Sequence, residues 1–225
     1  MSSIHPITVL PNVTLQANDS VTAQFLQKGI TTFHGACQWV KDLPYAANAN
    51  SENSMILFED GFGNCTTKHG AIARLAHAHG LPIHKNLGFY RLNDDIVTGV
   101  NVILEPYGLA FIPQIHCFLA YEHYRVDLTE GNCHGKNKTI EDYDFVVEVP
   151  PDLSRSQHHD YYRTYIKRYC SQYPQLANLD EAKIFELLEE CDRQLKYQCS
   201  IMDLDSREEM KAGEGTKPLT INPVV

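Results

Sequence analysis

Basic charge is scarce in this chain: 19 Lys and Arg stand against 28 Asp and Glu, a formal net charge of −9. A nucleic-acid binder needs a basic face to displace counterions, so no nucleic-acid partner is expected. Long apolar runs are missing as well. The best candidates, such as Gly108-Leu109-Ala110-Phe111-Ile112, are strand-sized, and no membrane partner is expected. The opening Met1-Ser2-Ser3-Ile4-His5-Pro6 has no basic region followed by an apolar core, so no secretory signal is read and a cytoplasmic protein is expected. Cys-x-x-Cys spacing is absent too. The seven cysteines (Cys37, Cys65, Cys117, Cys133, Cys170, Cys191, Cys199) support neither a zinc ribbon nor a thioredoxin-like dithiol. Most are expected to be small, buried and reduced. There is no internal repeat and no low-complexity tract.

What remains is an ordinary globular composition, 43% hydrophobic and 21% charged over 225 residues, enough for one large domain or a core with an appendage. Residues 1–15 read as a strand or extended arm. Helices are expected from about Ser20 and from about Thr32 to Leu43, where Phe33, Ala36, Cys37 and Val40 recur at helical spacing. Pro44 and the Asn/Ser-rich stretch 48–54 mark a loop, and Gly61-Phe62-Gly63-Asn64 a turn. A helix from Cys65 to His79 has legible ends: Asn64 as N-cap, Gly80 and Pro82 as stop signals. Strands are expected over 83–90, 97–104, 111–121 and 124–128. A helix followed by consecutive strands predicts an α+β fold with a mainly antiparallel sheet. Beyond Pro151, a tyrosine-rich helix over 155–172 and a second helix capped by Asp180, with Ile184, Leu187, Leu188, Cys191 and Leu195 on one face, predict a C-terminal helical extension packed on the core. The expected organisation is therefore a core over 1–150, an extension over 151–205 and a flexible tail over 206–225.

Three residues carry the chemistry. Cys65 falls in the first turn of a helix, where unsatisfied amides and the macrodipole favour a thiolate. If Glu122-His123 is a two-residue hairpin turn, Tyr121 pairs with Tyr124 and Asp127 lies opposite Phe118. Asp127 is then one same-face step from His116, about 7 Å or less by backbone position. A one-residue slip in register would separate them. A helix-start Cys, a strand His and an Asp on the next strand compose a nucleophile, a base and an orienting acid, with helix-start amides as oxyanion donors.

Gly63-Asn64-Cys65-Thr66-Thr67-Lys68-His69, the helix closing on His79-Gly80-Leu81-Pro82 and the strand Leu87-Gly88-Phe89-Tyr90 resemble the transglutaminase-like superfamily. His116-Cys117-Phe118 looks like its His-x-aromatic strand, Val126-Asp127-Leu128-Thr129 like its Asp-x-Thr, and Trp39–Tyr45 like the segment preceding its cysteine. The match spans about residues 20–130. The resemblance implies a papain-like core whose nucleophile-bearing helix packs on the sheet. It also implies catalytic roles for Cys65, His116 and Asp127, and acyl chemistry on a peptide or protein amide through a thioester with no cofactor or metal. Hydrolysis is expected over amine transfer, because no accessory β-domain is recognisable. For a second oxyanion donor, Trp39, Tyr45 and Asn64 stay open.

Arylamine N-acetyltransferases share the order Cys, His, Asp, but their Arg-Gly-Gly-aromatic-Cys context is not met by Gly61-Phe62-Gly63-Asn64-Cys65. A metal site is the next rival: Cys65 with His69, or Cys133-His134 with His116, would share an ion, although neither offers four ligands at the usual spacing. The third is a papain-like fold with its chemistry unused, acting as a protein- or peptide-binding module.

Overall fold

A computed structural model of the chain describes residues 5–195 apart from 18, 51, 130–135 and 141. The expected tail over 206–225 and the candidate ligands Cys133 and His134 lie outside the described residues. Up to the sheet the chain is helical: α1 Ser20–Gln27, α2 Phe33–Asp42, α3 Ile56–Asp60 and α4 Cys65–Ala78. Each longer helix starts on a side-chain cap. Asp19 accepts the amides of Val21 and Thr22, Thr32 accepts that of Gly35, and Asn64 accepts those of Thr66 and Thr67. At α4 the cap is reciprocal, since Thr67 Oγ1 accepts the Asn64 amide at 3.1 Å.

Four strands follow, β1 His84–Leu92, β2 Ile112–Tyr121, β3 Tyr124–Val126 and β4 Phe145–Val149. They form one antiparallel sheet in the order β3-β2-β1-β4. Glu122 and His123 make the expected hairpin turn, with Tyr121 opposite Tyr124, and Glu122 has φ 51°. After the sheet come α6 Arg155–Gln172, the short α7 Pro174–Ala177 and a helix over 181–195, here α8, whose start is capped by Asp180 accepting the Lys183 amide at 2.8 Å. The fold is α+β: helices, one of them bearing Cys65, pack against a four-stranded antiparallel sheet, with further helices after it. Among the described residues no helix is long and apolar enough to cross a membrane.

Several local expectations change. Residues 97–104 are not a strand but lead into a short helix, α5 Val100–Leu104. Val100 and Leu104, four apart, share a buried face while Val102 is 75% exposed, so a pattern legible at period two resolves at helical period. Asp94 Oδ1 accepts the amides of Gly99 and Asn101 and turns the chain there. Residues 5–15 form no named strand: Pro6 and Pro11 bracket a 3₁₀ turn at Ile7–Val9, and Thr14 makes a single bridge with Thr32. The strand expected to reach 128 stops at Val126, and neither α3 nor β4 is in the sequence reading.

Two apolar clusters make up the interior. One gathers Phe25, Phe33, Val40, Ile72 and Leu75 of the leading helices with Leu119 and Val126 of the sheet. The other gathers Leu87 and Phe89 of β1 with Val100, Leu104, and residues of α6 and α8. Helix α4 is rooted in the first cluster, yet Cys65 at its start packs against the second, so the sulfur sits where the two meet. Tyr162 of α6 seals the second by donating its hydroxyl to the Pro113 carbonyl of β2 at 2.8 Å. Tyr162→Ala is expected to cost about 3 kcal/mol or more and Tyr162→Phe about 1 kcal/mol, read as shifts of the urea unfolding midpoint.

Candidate active site

Asn64 opens α4 so that Cys65 occupies its first turn, and Gly63 before it has no room for a side chain: a Cβ there would lie 2.4 Å from Thr67 Oγ1 and 2.6 Å from Leu57 Cδ1. Gly63 also forms a parallel bridge with Tyr45, donating its amide to the Pro44 carbonyl at 3.1 Å and accepting that of Ala46 at 3.3 Å. That bridge brings the Tyr45 segment alongside the nucleophile candidate. Lys68, buried in the next turn position, donates to the carbonyls of Lys41 and Leu43 and holds the end of α2 against α4. Burial lowers its pKa to about 8.

His116 and Asp127 meet through the register of the sheet. His116 Nε2 lies 2.6 Å from Asp127 Oδ2, with both residues nearly inaccessible to solvent. A carboxylate only accepts, so Nε2 carries the proton. The other carboxylate oxygen accepts the Thr129 amide at 2.8 Å and the Thr129 hydroxyl at 2.7 Å. Thus the Asp-x-Thr spacing is a local turn in which the threonine orients the aspartate. Burial pushes the Asp127 carboxyl up, but the charge and hydrogen bond of His116 prevail and hold it well below the usual carboxylate range.

With Nε2 engaged by Asp127, Nδ1 is the ring nitrogen left free to serve Cys65, and His116 and Cys65 act on each other's ionisation. Cys117, the residue after His116, lies beside the same helix start, its sulfur 3.6 Å from Thr66 Oγ1. The contact is open because β3 ends at Val126, opposite Leu119, and pairs with no residue of β2 before it. The Cys117 hydrogen bond, followed by the charge and hydrogen bond of His116, outweighs burial and holds the Cys65 thiol well below its ordinary range. Cys117 moves the other way, raised by donating to Cys65 and by burial. For His116, burial and nearby Lys136 act downward, while Asp127 and the Cys65 thiolate act upward and leave it at about 9. The favoured state is a thiolate beside an imidazolium.

His69, named in the sequence only within the rival metal reading, has a structural role here. Its Nδ1 lies 2.8 Å from the Cys65 carbonyl and must donate, while its Nε2 accepts the Leu128 amide at 2.8 Å. Both ring nitrogens are occupied, which leaves neither for the metal that the rival reading would have Cys65 and His69 share. Its Nε2 is also 3.4 Å from Asp127 Oδ1. The i, i+4 spacing from Cys65 was the visible signal, and it denotes support of the first turn. Among the described residues no group of three or more His, Cys, Asp or Glu is arranged to hold a metal ion.

Of the three oxyanion candidates, Trp39 is elsewhere. Its ring stacks on Phe58 at 5.6 Å and meets Phe25 edge-on at 5.7 Å. Asn64 has its side-chain oxygen committed to the cap. Tyr45 is half-buried, and burial followed by the thiolate's charge raises its pKa well above the ordinary phenol value, so it keeps its O–H. Tyr143 packs on the other side of the strand pair, against Phe118 at 5.2 Å, and fills the space over Gly88, where a Cβ would meet its ring at 2.3 Å. His158 of α6 is close enough for the thiolate to oppose the fall in pKa that burial imposes on it.

Compared with protein-family models, curated proteins and solved structures, the chain matches none. The class that fold and geometry define is thus an α+β protein with a buried His–Asp pair beside a helix-borne cysteine.

Two outcomes test this electrostatic arrangement. Of the cysteines, Cys65 is expected to be alkylated first by iodoacetamide, mapped by mass spectrometry. Because its pKa is lowered, its rate should fall off in acid at a lower pH than that of an ordinary thiol, which already loses about tenfold per pH unit below its own pKa. His116→Ala should move that fall-off to higher pH. Separately, Thr129→Val removes one donor to a buried carboxylate and is expected to cost about 1–3 kcal/mol in urea unfolding at neutral pH.

Proposed function

We propose that this chain is a thiol-dependent enzyme of the transglutaminase-like type, with a papain-like core, that opens an amide bond of a peptide or protein through a Cys65 thioester and passes the acyl group to water. The observation that carries this reading is the 2.6 Å buried hydrogen bond between His116 Nε2 and Asp127, which leaves the other ring nitrogen to the helix-start cysteine. In the proposed cycle the Cys65 thiolate attacks the carbonyl carbon, and the His116 imidazolium gives its Nδ1 proton to the departing amine. Water then enters with His116 as base, and the acid leaves. Asp127 keeps the imidazole in one tautomer and steadies its positive charge.

The oxyanion needs donors that are in place before it forms. Asn64 takes the amides of Thr66 and Thr67, so the Cys65 amide is the first-turn donor that the cap does not use. The Tyr45 hydroxyl is the second in this proposal. Residues 1–150 would form the core, and residues 151–205 an extension whose helix α6 brings His158 within electrostatic reach of Cys65. The described cysteines Cys37, Cys65, Cys117, Cys170 and Cys191 are free thiols, which supports a reducing, cytoplasmic setting.

The test is a panel of peptide amides and glutamine-bearing peptides, read by mass spectrometry for free acid and acyl-enzyme. Wild-type protein is expected to release acid, Cys65→Ala none, and Asp127→Asn acid with kcat lower by about 100-fold or more. Cadaverine separates hydrolysis from transfer, since both partition from one thioester. Amine-bearing product at modest cadaverine concentration would replace hydrolysis by transfer. No thioester on any substrate class would leave a binding module as the better reading.

A further inference from the structure

Cys65 has a second thiol within reach. Cys117 Sγ lies 3.6 Å from the hydroxyl of Thr66, the residue directly after Cys65, and Cys65 packs against the apolar cluster that contains Cys117. The two residues act on each other's acidity, Cys65 being lowered and Cys117 raised, and both are free thiols. Their exposure differs. Cys65 is partly exposed, whereas Cys117 is 0% exposed, so a dissolved oxidant meets the first and not the second. Other described cysteines are placed elsewhere: Cys37 in the other cluster on α2, Cys170 on α6 and Cys191 on α8. Neither attack on an amide nor protonation of its leaving amine uses a second sulfur, so the proposed cycle leaves Cys117 without a chemical task.

We infer that Cys65 and Cys117 form a redox pair in which a peroxide converts Cys65 to a sulfenic acid and Cys117 closes on it as an intrachain disulfide. In the first step the Cys65 thiolate attacks one oxygen of hydrogen peroxide, the O–O bond breaks, and the departing hydroxide takes a proton from the His116 imidazolium to leave as water. In the second, the Cys117 sulfur attacks the sulfenic sulfur, the S–O bond breaks, and the Cys117 proton leaves with the hydroxide as a second water. The two sulfurs together lose two electrons and the peroxide gains two. An external dithiol reverses the step by thiol–disulfide exchange. The device stores the nucleophile as a recoverable disulfide and keeps it from running on to sulfinic and sulfonic acids. It needs a nucleophilic Cys65, not turnover of any amide, so a chain inert to every peptide tested leaves it standing.

The full chain is treated with hydrogen peroxide at neutral pH, quenched in acid, alkylated after unfolding and digested for peptide mapping. The expected result is a cross-linked pair of peptides carrying Cys65 and Cys117, with complete return of both thiols in dithiothreitol. In Cys117→Ala and Cys117→Ser, Cys65 is expected to be trapped by dimedone as the sulfenic acid, and then to lose recovery in dithiothreitol as higher acids accumulate. Mapping of the wild type stands whether or not either variant folds. A Cys65 that reaches sulfinic acid in the wild type without forming the link overturns the inference. So does a link from Cys65 to any other cysteine, or a Cys65 that peroxide leaves untouched.

Discussion

A carboxylate taken out of water must find its donors in the protein, and Asp127, 4% exposed, finds three: His116 Nε2 on one oxygen, and the amide and hydroxyl of Thr129 on the other. Left unpaired, such a charge would cost several kcal/mol, so the chain around it bends to supply partners. The bend has a consequence for the sheet. The Thr129 amide is spent on Asp127 and the Leu128 amide on His69, so neither can extend the ladder with β2. Strand β3 therefore stops at Val126, and the edge of β2 around His116 and Cys117 faces the start of α4 instead of a neighbouring strand. Local satisfaction of one buried charge thus leaves the Cys117 stretch of β2 beside the start of α4, where Thr66 meets the Cys117 sulfur.

The first turns of α4 are fastened from four directions by consecutive residues. Thr66 reaches Cys117, Thr67 reaches Asn48, Lys68 reaches the carbonyls ending α2, and His69 reaches Leu128. Successive helical side chains diverge by about 100°, so four in a row sample nearly the full circumference. A helix end held on all sides has little freedom to tilt. The position of the Cys65 sulfur then follows from its neighbours in sequence, each bound to a different part of the fold.

Legibility in the sequence follows the range of the interaction. The ends of α4 were readable because Asn64 caps its own helix, and the Glu122-His123 turn because a two-residue hairpin sets its register locally; from that register His116 and Asp127 fall on one face without further information. Residues 97–104 misled because Val100, Val102 and Leu104 satisfy alternation and helical spacing at once, and the deciding contact, Asp94 to the amides of Gly99 and Asn101, is made by a side chain before the segment. Strand β4 was missed because its neighbour β1 lies more than fifty residues earlier, which no local pattern records. For the site, His69 was visible by its spacing beneath Cys65, whose carbonyl it holds, but its second partner, the Leu128 amide, lies 59 residues on and depends on the folded chain. The second thiol at Cys117 had no signal beyond its neighbour His116, since alternation along a strand would send it to the opposite face.

That last point ties the electrostatics to the chemistry. The Cys117 thiol and amide and the His116 imidazolium all stabilise negative charge on the Cys65 sulfur, and Asp127 in turn stabilises the imidazolium. A thiolate so produced attacks an electrophile according to what reaches it, whether a carbonyl carbon or a peroxide oxygen. Selectivity between them is a matter of the surrounding groups: amide cleavage requires oxyanion donors and a proton on His116 Nδ1, whereas oxidation requires only access. An environment that lowers a cysteine pKa for acyl chemistry thereby exposes it to oxidation as well. The hydrogen-bonded thiol that helps to hold the charge is also the group placed to intercept the first oxidised product.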